Sequence, residues 1–273
     1  MKKTIIRTLA SVAGLAVIAL GLAACGSSSS SSSKGDTVDS ELVSKGKLTV
    51  GLEGTYAPYS YRANGKLTGF EVDLSKAIAK KLGLTADFKP TKWDSLIQGV
   101  GSGRFDISLN NITETPERAK AYSFSTPYVY SRYVLITKKG NKDITKIADI
   151  KGKKTADATG SDNEALAKKF GATVVPSQEF TTSLQFVKDG RADATINAVS
   201  AWSTYAKTED TSAWTATEIP SSDVPAAKIA ALLNKKSTAL TKAVNKAIKE
   251  LREDGTLTKL SKQYFNADIT EDK

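Results

Sequence analysis

The sequence predicts an α/β protein built as two lobes, and two observations carry this prediction. Segments with the apolar pattern of strands alternate with segments of helical periodicity between residues 47 and 265, an order typical of sheets covered by helices. In addition, the sequence GRFDISLN at residues 103–110 returns as GRADATIN at residues 190–197. A repeated helix–strand unit indicates two lobes of one plan, although glycine–arginine turns before strands are common enough for a chance repeat.

The N-terminus has the features of a secretory signal sequence over residues 1–24. Lys2, Lys3 and Arg7 form a basic start, residues 9–22 are predominantly apolar, and the small residues LAA stand just before Cys25. This pattern resembles a bacterial lipobox, and it predicts cleavage before the cysteine and diacylation of its thiol. The alternative is an uncleaved transmembrane anchor, but the apolar segment is shorter than the ~20 residues that span a bilayer.

A polar segment, residues 25–46, follows the predicted cleavage site. Residues 27–33 are an unbroken run of serine. Such sequence cannot bury enough apolar surface to offset the entropy lost on ordering. We therefore expect a flexible, lipidated tether between the membrane and the folded part.

The chain of 273 residues contains no histidine and one cysteine, Cys25. The absence of histidine removes histidine-based triads and metal sites and weakens most hydrolase hypotheses. We expect neither a metal nor another cofactor. A single cysteine excludes an internal disulfide, and lipidation would explain a lone thiol in a secreted protein.

The formal net charge is +10, and it comes from lysines that are scattered along the chain. No compact basic stripe with interleaved aromatic residues is present. We therefore expect a well-solvated surface and no nucleic-acid partner.

The first half of the folded region opens with a strand. The predicted elements, in order, are a strand at residues 48–50, a hairpin turn at 64–65, a helix at 74–82, a helix capped by Asp94 and a strand at 105–109. The asparagine–glycine pair at 64–65 is typical of a tight hairpin. Gly83 is a stop signal for the helix before it.

The second half repeats the alternation. Its predicted elements are strands at residues 133–137, 155–159, 174–175 and 228–233, and helices at 144–150, 164–170, 239–251 and 257–264. The turn GSDN at residues 160–163 supplies N-cap side chains to the helix that follows. Alternation of this kind favours parallel sheets, in which ligands bind at the carboxyl ends of the strands.

One arginine stands where the helix dipole disfavours a cation. Thr115 and Pro116 predict a helix start, with threonine as N-cap and proline in the first helical position. Arg118 then falls in the first turn. An anion such as a carboxylate, bound by the guanidinium, would explain this placement. The alternative is an ion pair with Glu114 or Glu117 on a solvated face.

Six motifs follow one another over residues 47–265. They are GLEGTYAPY at 51–59, GFEVDL at 69–74, WDSL at 93–96, FDI at 105–107, TPER at 115–118 and FSTPY at 124–128. In order and spacing they resemble the family 3 solute-binding proteins of polar amino-acid ABC importers.

The resemblance implies the type II fold of periplasmic binding proteins, with two hinge crossings and a ligand cleft between the lobes. The crossings would lie near residues 130–132 and 224–227. One lobe would comprise residues 47–130 and 228–270, and the other residues 131–227. Closure around a ligand would be a hinge motion.

The resemblance also implies site residues. Arg118 would take the ligand carboxylate together with backbone N–H groups at Thr113, Ser161 and Asp162. Tyr56 and Trp93 would wall the aliphatic part of the ligand, although each could instead be core. The remaining candidates supply polar contacts and are Glu53, Asn110, Asn111 and Asn197, for which an exposed loop carboxylate and strand-end capping are the alternatives.

One position departs from the pattern of the family. Relatives place an aspartate for the ligand ammonium where this chain has Ala198. Either other groups receive the ammonium, such as the Asn110 carbonyl, the Asn197 side chain or the Asp162 carboxylate, or the ligand is not an ordinary α-amino acid. We favour the first explanation.

The function implied is that of a receptor, not an enzyme, which captures a polar amino acid and passes it to the permease subunits of an ABC transporter. The motifs EGTY at residues 53–56 and KWDS at 92–95 are most similar to the cystine-binding branch. We expect a monomer on the extracellular side of the bacterial membrane, or in the periplasm if an outer membrane is present, held by its lipid alone. A surface sensor or adhesin, or a dehydratase on the same scaffold, remain alternatives.

Overall fold

The computed structural model describes residues 37–272. The predicted signal sequence, Cys25 and the serine run lie outside the described residues. Within the described part, none of the helices combines the length and apolar character that crossing a membrane requires.

The first part of the chain builds most of one lobe. Its elements in order are α1 (Val38–Glu41), β1 (Lys47–Leu52), β2 (Tyr61–Ala63), β3 (Lys66–Thr68), α2 (Phe70–Lys81), β4 (Thr85–Pro90), α3 (Trp93–Gly101), β5 (Ile107–Ser108), α4 (Pro116–Ala121) and β6 (Tyr122–Phe124). The hairpin β2–β3 turns at Asn64 and Gly65, both with positive φ, as the sequence predicts.

The central part of the chain builds the other lobe after a short connecting strand. Its elements are β7 (Val129–Ser131), β8 (Tyr133–Lys138), a 3₁₀-helix (Ile147–Ile150), β9 (Lys154–Ala158), α5 (Asp162–Lys169), β10 (Thr173–Ser177), α6 (Phe180–Lys188), β11 (Ala194–Ala198), α7 (Val199–Thr208) and β12 (Trp214–Glu218).

The last part of the chain returns to the first lobe. It contains β13 (Ala227–Ile229), β14 (Leu232–Asn234), α8 (Thr238–Glu253) and α9 (Thr256–Phe265). The first sheet has the order β4-β1-β5-β14-β6, and the second has the order β10-β9-β11-β8-β12. The first sheet with its helices forms the first lobe, and the second sheet with its helices forms the second lobe.

Two connections join the lobes. The chain leaves the first sheet after β6 and enters the second at β8, and it leaves the second after β12 and re-enters the first at β14. Strands β7 and β13 lie on these connections and pair with each other in antiparallel register. This arrangement of two sheets with two connections is the two-lobed fold that the sequence predicts.

The repeat in the sequence corresponds to a repeat in the structure. Asp106, just before β5, exchanges hydrogen bonds with the backbone of Thr49: its N–H donates to the carbonyl and its carboxylate accepts from the N–H. Asp193, just before β11, makes the same two bonds with Lys154 of β9. Each aspartate thus fixes the register of a strand against its neighbour, and the two lobes share this device.

Phe105 of the repeated unit packs where two glycines leave room. A Cβ atom added at Gly51 would lie 2.6 Å from the Phe105 ring, and one added at Gly99 would lie 2.2 Å from it. Both separations are shorter than carbon atoms tolerate. The small residues therefore let α3 and β1 approach each other around one aromatic ring, which is 3% exposed.

The predicted tether is too long at its C-terminal end. Within residues 37–46, α1 packs against α8, and the Glu41 carboxylate accepts the backbone N–H groups of Ala239 (3.0 Å) and Leu240 (2.7 Å). These are free donors of the first turn of α8, which an acidic side chain satisfies well. Composition could not reveal this long-range cap.

Three other details differ from the sequence prediction. Helix α3 begins at Trp93 with Lys92 as N-cap, and Asp94 lies in its first turn, where a carboxylate still favours the dipole. The sheets are mixed, because β8 runs antiparallel to β11 and β12, and β14 runs antiparallel to β5 and β6. The single strand predicted at 228–233 is two strands, β13 and β14, in different sheets.

Candidate functional site

A cavity lies between the lobes, and side chains of both lobes line it. The first lobe contributes Glu53, Thr55, Tyr56, Trp93, Asn110 and Asn111, and the second contributes Asp157, Ala158, Ser161, Asp162, Asn163, Gln178, Glu179, Phe180, Ser183, Ile196 and Asn197. Because both lobes form the wall, separating them would open the cavity.

Glu53 and Asn110 form a reciprocal pair on the first-lobe wall. The Glu53 N–H donates to the Asn110 side-chain oxygen (2.9 Å), and the Asn110 Nδ2 donates to the Glu53 Oε2 (2.6 Å). Burial raises the pKa of Glu53 to about 7, although the Asn110 bond lowers it. The pair joins the loop after β1 to the end of β5 and leaves the second Glu53 oxygen available to the cavity.

Asn111 follows with a left-handed backbone, φ 49°. Its N–H donates to the Glu71 carboxylate (2.7 Å), which also accepts the Tyr128 hydroxyl. Glu71 is fully buried, and burial raises its pKa to about 7. The Asn111 Oδ1, which is buried, has no hydrogen-bond partner.

Two stacked tyrosines reach from the first lobe to the second. The rings of Tyr56 and Tyr59 lie 5.2 Å apart between centroids. The Tyr56 hydroxyl donates to the Asn197 Oδ1 (2.6 Å), and the Tyr59 hydroxyl bonds the Ser200 hydroxyl (2.6 Å). Asn197 Oδ1 also accepts the N–H of Ala198. Asn197 therefore presents its amide nitrogen, not its oxygen, to further partners.

Trp93 closes another side of the cavity. It is 8% exposed, and its indole N–H donates to the Thr159 carbonyl of the second lobe (3.1 Å). The ring thus packs in the first lobe and bonds across the gap, so it is both a core residue and a wall of the cavity.

Asp162, at the start of α5, receives hydroxyls from both lobes on one oxygen. Thr113 Oγ1 of the first lobe donates to its Oδ2 (2.6 Å), and the Tyr133 hydroxyl of the second lobe does the same (2.7 Å). Ser161 is the N-cap of α5, as predicted, and its hydroxyl accepts the Glu164 N–H. Its backbone N–H is already donated to the Ala158 carbonyl, so it is not the free anion-binding donor that we expected.

Arg118 lies in the gap between the lobes but does not line the cavity. Thr115 caps α4 as predicted, accepting the Arg118 N–H (3.2 Å). The guanidinium donates to the Thr113 carbonyl (2.9 Å) and to the Gly160 carbonyl of the second lobe (2.8 Å), and it lies 5.6 Å from the Trp93 ring.

Arg118 is not neutralised by the acids of the protein. Across residues 37–272, the ion pairs do not involve this arginine. It borders an open groove that shares Trp93, Ser161 and Asp162 with the cavity. The guanidinium is therefore next to the cavity, and its positive charge is met by two carbonyl dipoles and the face of the Trp93 ring.

Asp157 is a cavity residue that the sequence did not indicate. It is 2% exposed, and its Oδ1 accepts the Ile196 N–H (3.0 Å) while its Oδ2 has no hydrogen-bond partner. Burial raises its pKa to about 6, although the bond from Ile196 and the hydroxyls of Thr155 and Thr195 lower it. An aspartate inside the predicted strand at residues 155–159 was the available signal, since strands seldom carry one.

Of the ten predicted site residues, eight line the cavity. They are Glu53, Tyr56, Trp93, Asn110, Asn111, Ser161, Asp162 and Asn197. Thr113 and Arg118 lie behind the wall, joined to it through Asp162 and Trp93. The acidic and aromatic residues of α6 and the turn before it, Glu179 and Phe180, were also missed, because nothing local marks them.

The family model for bacterial extracellular solute-binding proteins, family 3, matches residues 48–267. The chain belongs to this family. Its two-lobed architecture is the one expected of a family 3 solute-binding protein.

Three comparisons place this family 3 protein among its relatives. It is 40% identical to the L-cystine-binding protein TcyA of Bacillus subtilis (strain 168), over 91% of this chain and 94% of the relative. It is 34% identical to the structure of an ancestral arginine-binding protein bound to arginine, with a TM-score of 0.72, covering 81% of this chain and 99% of that one. The L-cystine solute receptor of Neisseria gonorrhoeae in its unliganded open conformation is 37% identical, with a TM-score of 0.56, over 86% and 97% of the two chains.

The two structural comparisons differ in how well the chains superpose. Identity is similar in both, yet the TM-score is 0.72 with the arginine-bound protein and 0.56 with the unliganded open one. In this family 3 protein, hydrogen bonds from Tyr56 to Asn197 and from Trp93 to Thr159 join the two lobes.

Ala198 shows how this family 3 protein departs from the pattern. It is 4% exposed and is the N-cap of α7, with no side chain that could meet an ammonium. Carboxylates are nevertheless plentiful on the cavity wall, where Glu53, Asp157, Asp162 and Glu179 all stand. Among the described residues that line the cavity there is no lysine or arginine.

Proposed function

We propose that this protein captures a polar amino acid between its lobes and delivers it to the permease of an ABC importer, with cystine as the leading substrate. The cavity enclosed jointly by both lobes carries the proposal, since a ligand bound there would stabilise the closed form. Membership in family 3 and 40% identity to a cystine-binding protein support it.

The proposed ligand carboxylate is held by Arg118. At present the guanidinium donates to the carbonyls of Thr113 and Gly160. A carboxylate accepts such donors more strongly than a neutral carbonyl does. A ligand would thus exchange one or both carbonyls for its own oxygens, and the backbone N–H groups of Thr113 and Asp162 would complete the site.

The proposed ligand ammonium is received by Asp162, in place of the aspartate replaced by Ala198. Asp162 lines the cavity and already accepts hydroxyls from Thr113 and Tyr133. These bonds fix its orientation, and its Oδ1 remains for the ligand. Tyr56 and Trp93 flank the aliphatic part, while Glu53, Asn110, Asn111 and Asn197 contact polar groups of the side chain.

The protein is proposed to act as a monomeric lipoprotein at the extracellular face of the membrane. Cys25 would be diacylated after cleavage of residues 1–24, and the tether would end near residue 37, where α1 packs on the folded part. Radiolabelled palmitate should enter the wild-type protein and not the Cys25→Ser variant. Equal labelling of both would overturn the lipid anchor without affecting the binding function.

The decisive test is a ligand screen on the mature protein. We expect cystine to raise the unfolding temperature and to bind in calorimetry, and a strain that lacks the protein to lose uptake of the same amino acid. If no amino acid bound, the receptor function would be wrong. If one bound but uptake were unchanged, the sensor alternative would replace transport.

A further inference from the structure

The cavity has an excess of hydrogen-bond acceptors. Four carboxylates line it, at Glu53, Asp157, Asp162 and Glu179, and Asn111 adds an amide oxygen. Two donors of the wall are already used, since the Tyr56 hydroxyl bonds Asn197 and the Trp93 indole N–H bonds Thr159, whereas the Asn197 amide nitrogen remains for a ligand. Because the four carboxylates accept only from donors, a ligand that fits must bring several donors.

Two of these acceptors are buried and unpaired. In the described residues the buried side-chain atoms without a hydrogen-bond partner are Glu71 Oε2, Asn111 Oδ1, Thr155 Oγ1 and Asp157 Oδ2. Asn111 and Asp157 line the cavity, one from each lobe. Unpaired buried acceptors are costly and rare in folded proteins, so their meeting at one cavity indicates a bound group that is rich in donors.

Asp157 does not fix the register of two strands in the way that Asp106 and Asp193 do. Strands β9 and β11 pair in parallel at Ala194 and Thr155 and do not continue as a ladder beyond that point. The Oδ1 of Asp157 accepts the Ile196 N–H of β11 (3.0 Å) and the Thr195 hydroxyl (3.4 Å). One oxygen suffices for that backbone bond, and Oδ2 is left over.

We propose that Asp157 binds a second cationic nitrogen of the ligand, and that it restricts the cavity to amino acids with two separated cationic groups. Cystine, with its two ammonium groups, and the dibasic amino acids lysine and arginine belong to this class. The inference rests on the proposed amino-acid receptor function, in which Asp162 receives the first ammonium. Glu53, on the opposite wall, adds negative charge toward the same cation.

The class follows from electrostatics as well as from hydrogen bonding. A buried carboxylate without a counter-charge is strongly disfavoured, and a cation within hydrogen-bond reach removes that cost. A ligand that lacks the second cation would leave the Oδ2 of Asp157 without a partner when the lobes close. A site whose buried polar group needs a partner on the ligand binds an analogue that lacks this partner much more weakly.

The test compares ligands that differ by one cation. Calorimetry at pH 7.5 would measure cystine, lysine and arginine against S-methylcysteine, which resembles half of cystine and has a single ammonium. For the wild type we expect at least one two-cation ligand to bind 10-fold or more tightly than S-methylcysteine. Asp157→Asn keeps the size and the bond to Ile196 and should reduce that preference at least 10-fold.

Asp189→Asn is the matched control. Asp189 also belongs to the second lobe, but it lies outside the cavity wall and is exposed to solvent, so water screens its charge. Its replacement should alter the preference less than 3-fold. An unchanged preference in Asp157→Asn, or equal losses in both variants, would overturn the inference while leaving the receptor function standing. If no amino acid bound the wild type, both would fail.

A measurement on the wild type decides the matter if Asp157→Asn does not fold. Carbon-13 labelling of aspartate allows the Asp157 carboxyl to be titrated by nuclear magnetic resonance. A bound two-cation ligand should lower the pKa of this carboxyl, whereas S-methylcysteine should not. The same pKa with both ligands would contradict the contact.

Discussion

The Glu71 carboxylate accepts the backbone N–H of Asn111 at 2.7 Å, and this bond fixes the one cavity residue that has positive φ. Glu71 is buried in α2 and does not touch the cavity itself. It therefore connects the packing of the first lobe to the shape of the site. A non-glycine residue in the left-handed region persists when its surroundings hold it.

Two substitutions of Glu71 should separate the loss of its carboxylate charge from the loss of its whole side chain. At pH 5.5, where the Glu71 carboxyl is mostly protonated, we expect Glu71→Gln to lower the free energy of unfolding by about 1 kcal/mol or less, because an amide can still accept from Asn111 and bond Tyr128. Glu71→Ala should cost about 3 kcal/mol, since it leaves a cavity and two unpaired donors. Urea unfolding would measure both, and equal losses would show that the hydrogen bonds contribute nothing.

The raised carboxyl pKa values predict an unusual pH dependence. Burial raises the pKa of Glu53 and Glu71 to about 7 and that of Asp157 to about 6. The folded protein therefore keeps protons that the unfolded chain releases at lower pH. Stability from these groups is present below about pH 4 and is lost as pH rises through 6 to 7.

We thus expect the ligand-free protein to unfold at a lower temperature at pH 7.5 than at pH 5.5. One pKa unit corresponds to about 1.4 kcal/mol, and about half of the rise in the Glu71 pKa from 4.5 to about 7 takes effect between pH 5.5 and 7.5, so Glu71 alone contributes about 2 kcal/mol to the change. Calorimetric scans at several pH values would measure it. Glu71→Gln should flatten the profile, and a profile that rises toward pH 7.5 would contradict the buried-carboxyl explanation.

Arg118→Ala should abolish binding of ligands through their carboxylate while the fold stays intact. A charge-assisted bidentate contact is stronger than one to a neutral acceptor, so we expect affinity to fall 100-fold or more in calorimetry. Arg104→Ala, which removes an arginine 5.4 Å from the Phe105 ring and away from the cavity, is the control. Unaltered affinity in Arg118→Ala would mean that the anion site is misplaced.

The hydroxyl of Thr113 joins the lobes through Asp162. Thr113→Val keeps the shape and removes this bond, so the ligand-free protein should shift toward the open form. Small-angle X-ray scattering would detect an increased radius of gyration. Tyr133→Phe is the control, because it removes a bond to the same Asp162 oxygen from within the second lobe and should leave the radius of gyration unchanged. Identical scattering curves for the wild type and both variants would show that the bond from Thr113 to Asp162 does not hold the lobes together.

Much of the fold followed from local pattern. The N-cap at Thr115, the hairpin at Asn64 and the repeated GR-x-D unit all depend on residues a few positions apart, and the structure contains each of them. Strand direction did not follow, because it depends on where the chain crosses between the lobes. The cap of α8 by Glu41 joins residues about 200 positions apart, a separation that no local pattern records.

The sequence by itself determined the family, the two-lobed plan and eight residues of the cavity wall, because motifs encode the short-range turns and caps on which those residues stand. Tertiary structure alone decided that Arg118 bonds two carbonyls beside the cavity and that a buried aspartate of β9 faces it. Hydrogen-bond satisfaction and burial are properties of neighbours brought together from distant parts of the chain. They set the electrostatics of the site, which composition and spacing could not reveal.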